Sequence, residues 1–333
     1  MPIENDSTSI FWNLSAGLGL ALTVALAASP ANAQTWPDKP IRLVVPYPPG
    51  GGTDTVARHI AEKLSTDQKW QFVVDNKPGA GGNIGIEFVA KAPPNAYTLG
   101  LGQTANVAIN PALVPNMPFD AVKDIVPVAL VAEQAVVLVV RADNPWRNLA
   151  DLVAAAKIKP GALRQALAGN GTVGHLAGEM LARRAGYTVL SVPYRGAATA
   201  LTDLLGGQTD YMFATPQAVL GMLQGGKLRA LAVTSKKRIT VLADVPTVAE
   251  SGFKDFEAVD WKLIVAPAGT PAELVLRINA AVEKALSSPR MMAQLMAEGS
   301  APMGGNPAQV LRYVRREQAQ WGALVREAGI RLD

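Results

Sequence analysis

The run Val45-Pro46-Tyr47-Pro48-Pro49-Gly50-Gly51-Gly52-Thr53-Asp54 is the stretch of the chain best suited to do chemistry. It follows a β-branched run, Ile41 to Val45, and precedes apolar residues at helical spacing: Val56, Ala57, Ile60, Ala61 and Leu64. A glycine-rich turn from strand to helix leaves the first-turn N–H groups without internal partners, at the end where the helix dipole is positive. Glycine lets a ligand approach the backbone, and the prolines stiffen that approach. The product is an anion cradle. Tyr47, Pro48, Gly51, Gly52 and Thr53 are its candidate ligand contacts. Asp54 is counted with them, although its charge suits it better to capping its own helix. The alternative is a stiff, capped turn with no ligand. A nucleotide loop is excluded, because no Gly-Lys-Ser/Thr follows and Gly50 to Thr55 lacks the third glycine of a dinucleotide fingerprint.

Two further turns have the same form. Lys77-Pro78-Gly79-Ala80-Gly81-Gly82-Asn83-Ile84-Gly85 opens a helix with Asn83 as candidate N-cap, next to N–H groups that could face a cleft. Gly169-Asn170-Gly171-Thr172-Val173-Gly174-His175 offers Gly169, Asn170 and Gly171 as free backbone and Thr172 as a hydroxyl, facing the first loop across that cleft. Thr104, Tyr194 and His175 complete the candidate set. His175 and Glu179 stand four apart on one helix face, a spacing that metals accept. With only two histidines in the chain that pair is too small a ligand set. No metal or other cofactor is expected: His175 should cap, bond locally or sit at the cleft edge, and His59 should lie at the surface. Catalytic machinery is not legible either. No Gly-x-Ser-x-Gly elbow, His-Glu-x-x-His helix or distinctive carboxylate pair occurs.

The elements that must hold these turns alternate. Strands are expected at 41–45, 71–74 and 97–101, with helices over 56–64 and 83–90 between them. The pattern restarts with strands at 136–140, 164–168, 188–192, 211–214 and 228–234, and helices at 149–156, 175–185, 197–205 and 216–223. A strand at 259–266 returns to the first unit, and helices follow at 271–286, 289–298 and 307–328, Pro271 standing at N1. The fold class is α/β with two lobes, each a doubly wound, mostly parallel sheet. The expected domains are 34–138 plus 261–333 for lobe one, discontinuous, and 139–260 for lobe two.

At 333 residues and 49% hydrophobic content the chain can bury two cores. Without cysteine it has no disulfide, thiolate or lipid-anchored N-terminal cysteine. Ile10 to Ala28 is largely apolar, and Ala31 and Ala33 fit a signal-peptidase site, so residues 1–33 read as a cleaved signal peptide of a periplasmic protein. The leading segment is atypical in carrying Glu4 and Asp6 and no base. An uncleaved anchor is the competing reading, against which stand Asn13, Ser15 and the small-residue site. Cleavage raises the net charge from +4 to +6, which suits anionic solutes. Scattered bases and 6% aromatics give nucleic-acid binding no support.

Taken in order, the two glycine-rich runs Val45–Asp54 and Asn76–Gly85, together with His175-Leu176-Ala177-Gly178-Glu179, Val192-Pro193-Tyr194-Arg195-Gly196, Val245 to Gly252 and Ala266-Pro267-Ala268-Gly269-Thr270-Pro271, resemble the solute receptors of tripartite tricarboxylate transporters, the Bordetella uptake gene family. The resemblance covers Trp36 to the end. It implies a type II-like periplasmic binding protein that closes over its ligand and delivers it to a pair of membrane permease subunits. It also implies that the Tyr47–Asp54 loop contacts a ligand carboxylate, partly through waters, with the Gly169–Thr172 turn opposite. The ligands implied are di- or tricarboxylates, acidic amino acids or aromatic acids. Three positions depart from the family pattern: Leu167 where a serine is usual, Asn95-Ala96 in a turn that is usually Asp-Gly, and Leu263 where a glycine is common. The two leucines lead to the expectation of a smaller or less polar pocket, unsuited to citrate-like ligands. A sensory subunit with the same ligand, or an α/β enzyme using Asp54, His175 or Glu179 as base, are the competing functions.

Overall fold

The structure, a computed structural model, describes residues 36–330; the signal-peptide expectation for residues 1–33 therefore lies outside the described residues. The first lobe begins β1 (Ile41–Val45), α1 (Gly52–Gln68), β2 (Phe72–Asn76), α2 (Asn83–Ala90), β3 (Thr98–Gln103), α3 (Asn110–Leu113) and β4 (Ile125–Ala135). The chain then crosses into β5 (Val137–Arg141), α4 (Leu149–Ile158), β6 (Arg164–Leu167), α5 (Val173–Ala185), β7 (Leu190–Pro193), α6 (Ala197–Leu205), β8 (Tyr211–Ala214), α7 (Pro216–Gln224) and β9 (Leu228–Val233). It returns through β10 (Val259–Pro267), α8 (Ala272–Leu286), α9 (Pro289–Ala297), β11 (Ser300–Pro302) and α10 (Pro307–Ala328).

Two sheets result, ordered β11-β4-β10-β3-β1-β2 and β7-β6-β8-β5-β9. The βαβ stretches give parallel pairs, β1 with β2 and β3, and β6 with β7 and β8. The strands at the crossings run the other way: β10 is antiparallel to β3 and β4, and β5 to β8 and β9. The sheets are thus mixed rather than mostly parallel, because a strand arriving from the other lobe enters its sheet from the opposite end. β4 was not foreseen, and Pro127 interrupts its pattern. That proline pairs with Val265 where the β4–β10 register shifts, a place where a missing N–H is tolerated. Pro271 stands at the N-cap of α8, one position before N1.

Apolar periodicity explains the layers. Val56, Ala57, Ile60, Ala61 and Leu64 bury one face of α1. The last helix, α10, buries Val310, Val314, Trp321 and Val325, and opens on an Asn306/Gln309 capping box. Glu317 on the same helix accepts from two indoles, Trp261 Nε1 at 3.0 Å and Trp321 Nε1 at 3.3 Å. Both crossings between the sheets meet at Thr234. Its hydroxyl accepts from Val136 N–H at 2.9 Å and donates to the Ala258 carbonyl at 2.6 Å.

The turn before α5 closes on itself. Thr172 is the N-cap, its Oγ1 accepting from His175 N at 3.3 Å while donating to Gly169 O at 2.9 Å. His175 Nδ1 accepts from Gly171 N–H at 3.2 Å. The ring is buried, which pushes its pKa from 6.5 down to about 4. His175 therefore stays neutral in the fold where the unfolded chain would charge it. The depressed pKa costs the folded state nothing above about pH 6.5, where both states are neutral, and stability is lost progressively as pH falls toward 4. The gap corresponds to roughly 3 kcal/mol. The stability lead of the wild type over His175→Gln should accordingly shrink between pH 7 and pH 4, read from urea midpoints; a constant lead would mean that the ring does not titrate as described.

Candidate functional site

Where the two sheets face each other there is a cavity of about 340 Å³. Lobe one contributes Tyr47 to Thr53, Gln103 at the end of β3, and Asp260 on β10; lobe two contributes the starts of α5, α6 and α7 and an apolar wall. Carboxyl ends of strands and amino ends of helices meet here, as open α/β sheets require of a ligand site.

Three helix N-termini reach the cavity without a side-chain cap. Those of α1 and α6 begin after Gly51 and Gly196, which have no side chain, and Thr215 before α7 makes no capping bond. The dipoles of all three and the first-turn N–H groups of α1 and α6 supply positive potential, α7 opening on Pro216, which has no N–H. Arg195 adds a full charge. Its exposed side chain lines the cavity and has no hydrogen bond or ion pair among the described residues. The same lining contains Val136, Val173, Leu201, Met212, Phe213 and Met222. A cavity so lined can hold a carboxylate together with an apolar body.

The loop β1–α1 is fixed from behind. Tyr47 Oη donates to Gly81 O at 2.7 Å, and burial, with Asp260 nearby, pushes its phenol well above the ordinary range. Thr53 Oγ1 donates to Gln103 Oε1. Asp54 does not line the cavity. Its Oδ2 accepts from Gly50 N at 3.0 Å and Arg58 Nε at 2.9 Å, and its Oδ1 from Asn76 Nδ2 at 2.9 Å. Burial works against its charge, but these bonds outweigh it and hold the carboxyl below the usual carboxylate range.

The candidates thus divide. Tyr47, Pro48, Gly51, Gly52, Thr53 and Thr172 line the cavity, although the hydroxyls of Thr53 and Thr172 are already engaged within the protein. Asp54, Asn83, Thr104, Gly169, Asn170, Gly171, His175 and Tyr194 stand outside its lining. Asn83 does not cap: Gly82 holds the N-cap, and Asn83 Oδ1 accepts from Asn110 Nδ2 at 2.8 Å. Thr104 accepts from Trp261 N at 2.8 Å and so ties the end of β3 to β10. Tyr194 donates to Asp203 Oδ2 at 2.7 Å, which leaves its neighbour Arg195 at the cavity. His59 is not a plain surface residue, since its Nε2 lies 2.7 Å from Glu298 Oε1. Neither Leu167 nor Leu263 lines the cavity. Both are fully buried, and Leu263 stands against Gly102, so the apolar character of the site comes from lobe-two side chains instead.

Sequence reasoning missed Gln103, Asp260, Arg195 and the starts of α6 and α7. The run Tyr194-Arg195-Gly196 carried a signal, a cation and a glycine just before a helix. Gly196 also marks where the lobes meet. At φ +137° it occupies backbone space that side chains rarely adopt, and a Cβ there would lie 3.0 Å from Pro48 Cγ. Gly81 makes the second close approach, a Cβ there falling 2.6 Å from Asn170 O.

The profile of the family described as "Tripartite tricarboxylate transporter family receptor" matches residues 56–330. Protein BugT of Bordetella pertussis is 36% identical over 320 residues, covering 96% of this chain and 98% of that one. Among solved structures, Rpa4515 of R. palustris with adipate superposes with a TM-score of 0.85 at 36% identity, over 88% of this chain and 98% of that one. MatC from Rhodopseudomonas palustris with bound malate gives 0.82 at 31% identity, over 87% and 100%. With two α/β lobes around one cavity, and with this likeness over nearly its whole length, the chain belongs to the tripartite tricarboxylate transporter receptor family.

Proposed function

We propose that this protein is an extracytoplasmic receptor that captures a small organic carboxylate between its lobes and hands it to membrane permease subunits. The observation that carries the reading is the convergence of three uncapped helix N-termini and the unpaired Arg195 on one cavity between the lobes. Each helix end offers an anion about 0.3–1 kcal/mol, and up to ~2 when partly buried, so three ends and a guanidinium come near the roughly 8 kcal/mol of a micromolar complex only at the upper value, and burial of the apolar body must add to them. Two family members have been solved with adipate and malate, both carboxylates. The apolar wall favours acids with a hydrocarbon body over compact, highly charged tricarboxylates. Export to the periplasm is supported by the apolar run Ile10–Ala28 and the small residues Ala31 and Ala33.

A thermal-shift screen of the chain from Gln34 against mono-, di- and tricarboxylates and their amides tests the proposal. At a hundredfold excess over Kd a true ligand adds about 2.7 kcal/mol to stability, a visible shift. The shift should appear with an acid and vanish with its amide; a shift with amides alone would overturn the carboxylate reading. Arg195→Gln should weaken the same acid roughly tenfold by calorimetry, as expected for an exposed charge-assisted hydrogen bond, and leave the melting temperature of the empty protein unchanged. Equal affinity would remove Arg195 from the site.

A further inference from the structure

Asp260 is the single carboxylate in the cavity lining, and its surroundings are unusual. It sits on β10, opposite Gln134 of β4, and is 4% exposed. One oxygen, Oδ2, accepts from Lys262 Nζ at 2.9 Å. The ammonium of Lys262 is wholly buried, and its side chain does not reach the cavity lining. The other oxygen, Oδ1, is buried and has no hydrogen-bond partner among the described residues. A carboxylate carries lone pairs on both oxygens, and one left without a donor in a low-dielectric wall is costly. Lys262 offsets the charge of Asp260, so an anionic ligand can share the cavity with it. What the pair lacks is a donor, and because Asp260 lines the cavity a ligand held there can supply one.

We propose that Asp260 is a specificity residue: the ligand bears, besides its carboxylate, a hydroxyl or ammonium group that donates to Asp260, and acids without such a donor are discriminated against. The proposal rests on the carboxylate-receptor reading and sharpens it to substituted acids. The carboxylate lies toward Arg195 and the helix ends, the donor toward β10, and the hydrocarbon body against Met212, Phe213 and Leu201. An unsubstituted acid would fill the same space and leave Oδ1 bare, which is how a polar site rejects a close analogue.

Calorimetry on the chain from Gln34 tests this with two matched series: succinate, malate and aspartate; and 3-phenylpropionate, 3-phenyllactate and phenylalanine. In the series that fits the cavity, a donor-bearing member should bind about tenfold more tightly than the unsubstituted acid, or better. The double variant Asp260→Ala/Lys262→Met removes both charges together, so that neither is stranded. Whatever its effect on the unsubstituted acid, it should bring the members of the series to within about threefold of one another. Asp260→Asn separates the two donors, because an amide oxygen still accepts from a hydroxyl but loses the attraction for an ammonium. Matched affinities across both series in the wild type, or a preference that survives the double variant, would overturn the proposal while leaving the carboxylate reading intact. Binding by no acid at all would overturn both. Should the double variant fail to fold, the wild-type series and Asp260→Asn decide the matter.

Discussion

Everything in this molecule turns on how the chain passes twice between its sheets. Both passages are held at Thr234, whose hydroxyl accepts from Val136 N–H and donates to the Ala258 carbonyl. A buried hydroxyl with both roles filled is a strong local constraint, because breaking either bond strands a backbone group away from water. The two crossings are thereby kept side by side. Just beyond them Val136 and Asp260 enter the cavity wall, so the floor of the site is built from the same segments that join the lobes.

Above that floor the chemistry is mostly backbone. The sequence spends proline and glycine to bring the start of α1 to the cavity and leaves its first turn uncapped, while Asp54, Asn76 and Arg58 brace the loop from the far side. Lobe two differs at α5, where the Thr172 side chain takes the His175 N–H and the preceding turn is locked by a neutral His175. The open helix ends in that lobe belong to α6 and α7. The first glycine-rich turn lines the cavity from Tyr47 to Thr53, whereas Gly169 to Gly171 of the second stand outside the lining and only Thr172 and the start of α5 reach it.

That difference marks the limit of what can be read from sequence. Strand and helix periodicity placed nearly every element, since β-branched runs and apolar stripes are local signals. β4 escaped because Pro127 breaks its pattern, and only the register shift opposite it makes room for that residue. The first loop was legible as a cradle. The Gly169–Thr172 turn looked equivalent, and nothing local reveals that the Gly171 N–H is taken by His175 and the Thr172 hydroxyl by Gly169. Arg195 and Asp260 are single ionisable residues in ordinary surroundings. Their place at the cavity depends on β7 and β10 reaching it from different parts of the chain, which is a long-range property of the topology.

The seam where the lobes touch includes polar groups and bare backbone. Gln217 of α7 donates to Gln134 and Ser300 at 2.8 Å each, and Gly196 and Gly81 bring the two backbones together. Such contacts can be exchanged for water at small net cost. Apparent affinity equals intrinsic affinity scaled by the fraction of molecules in the competent arrangement. A substitution confined to the seam would then multiply the dissociation constants of all ligands by a common factor and leave their ratios untouched. Evolution can tune the concentration at which such a protein responds without altering what it recognises.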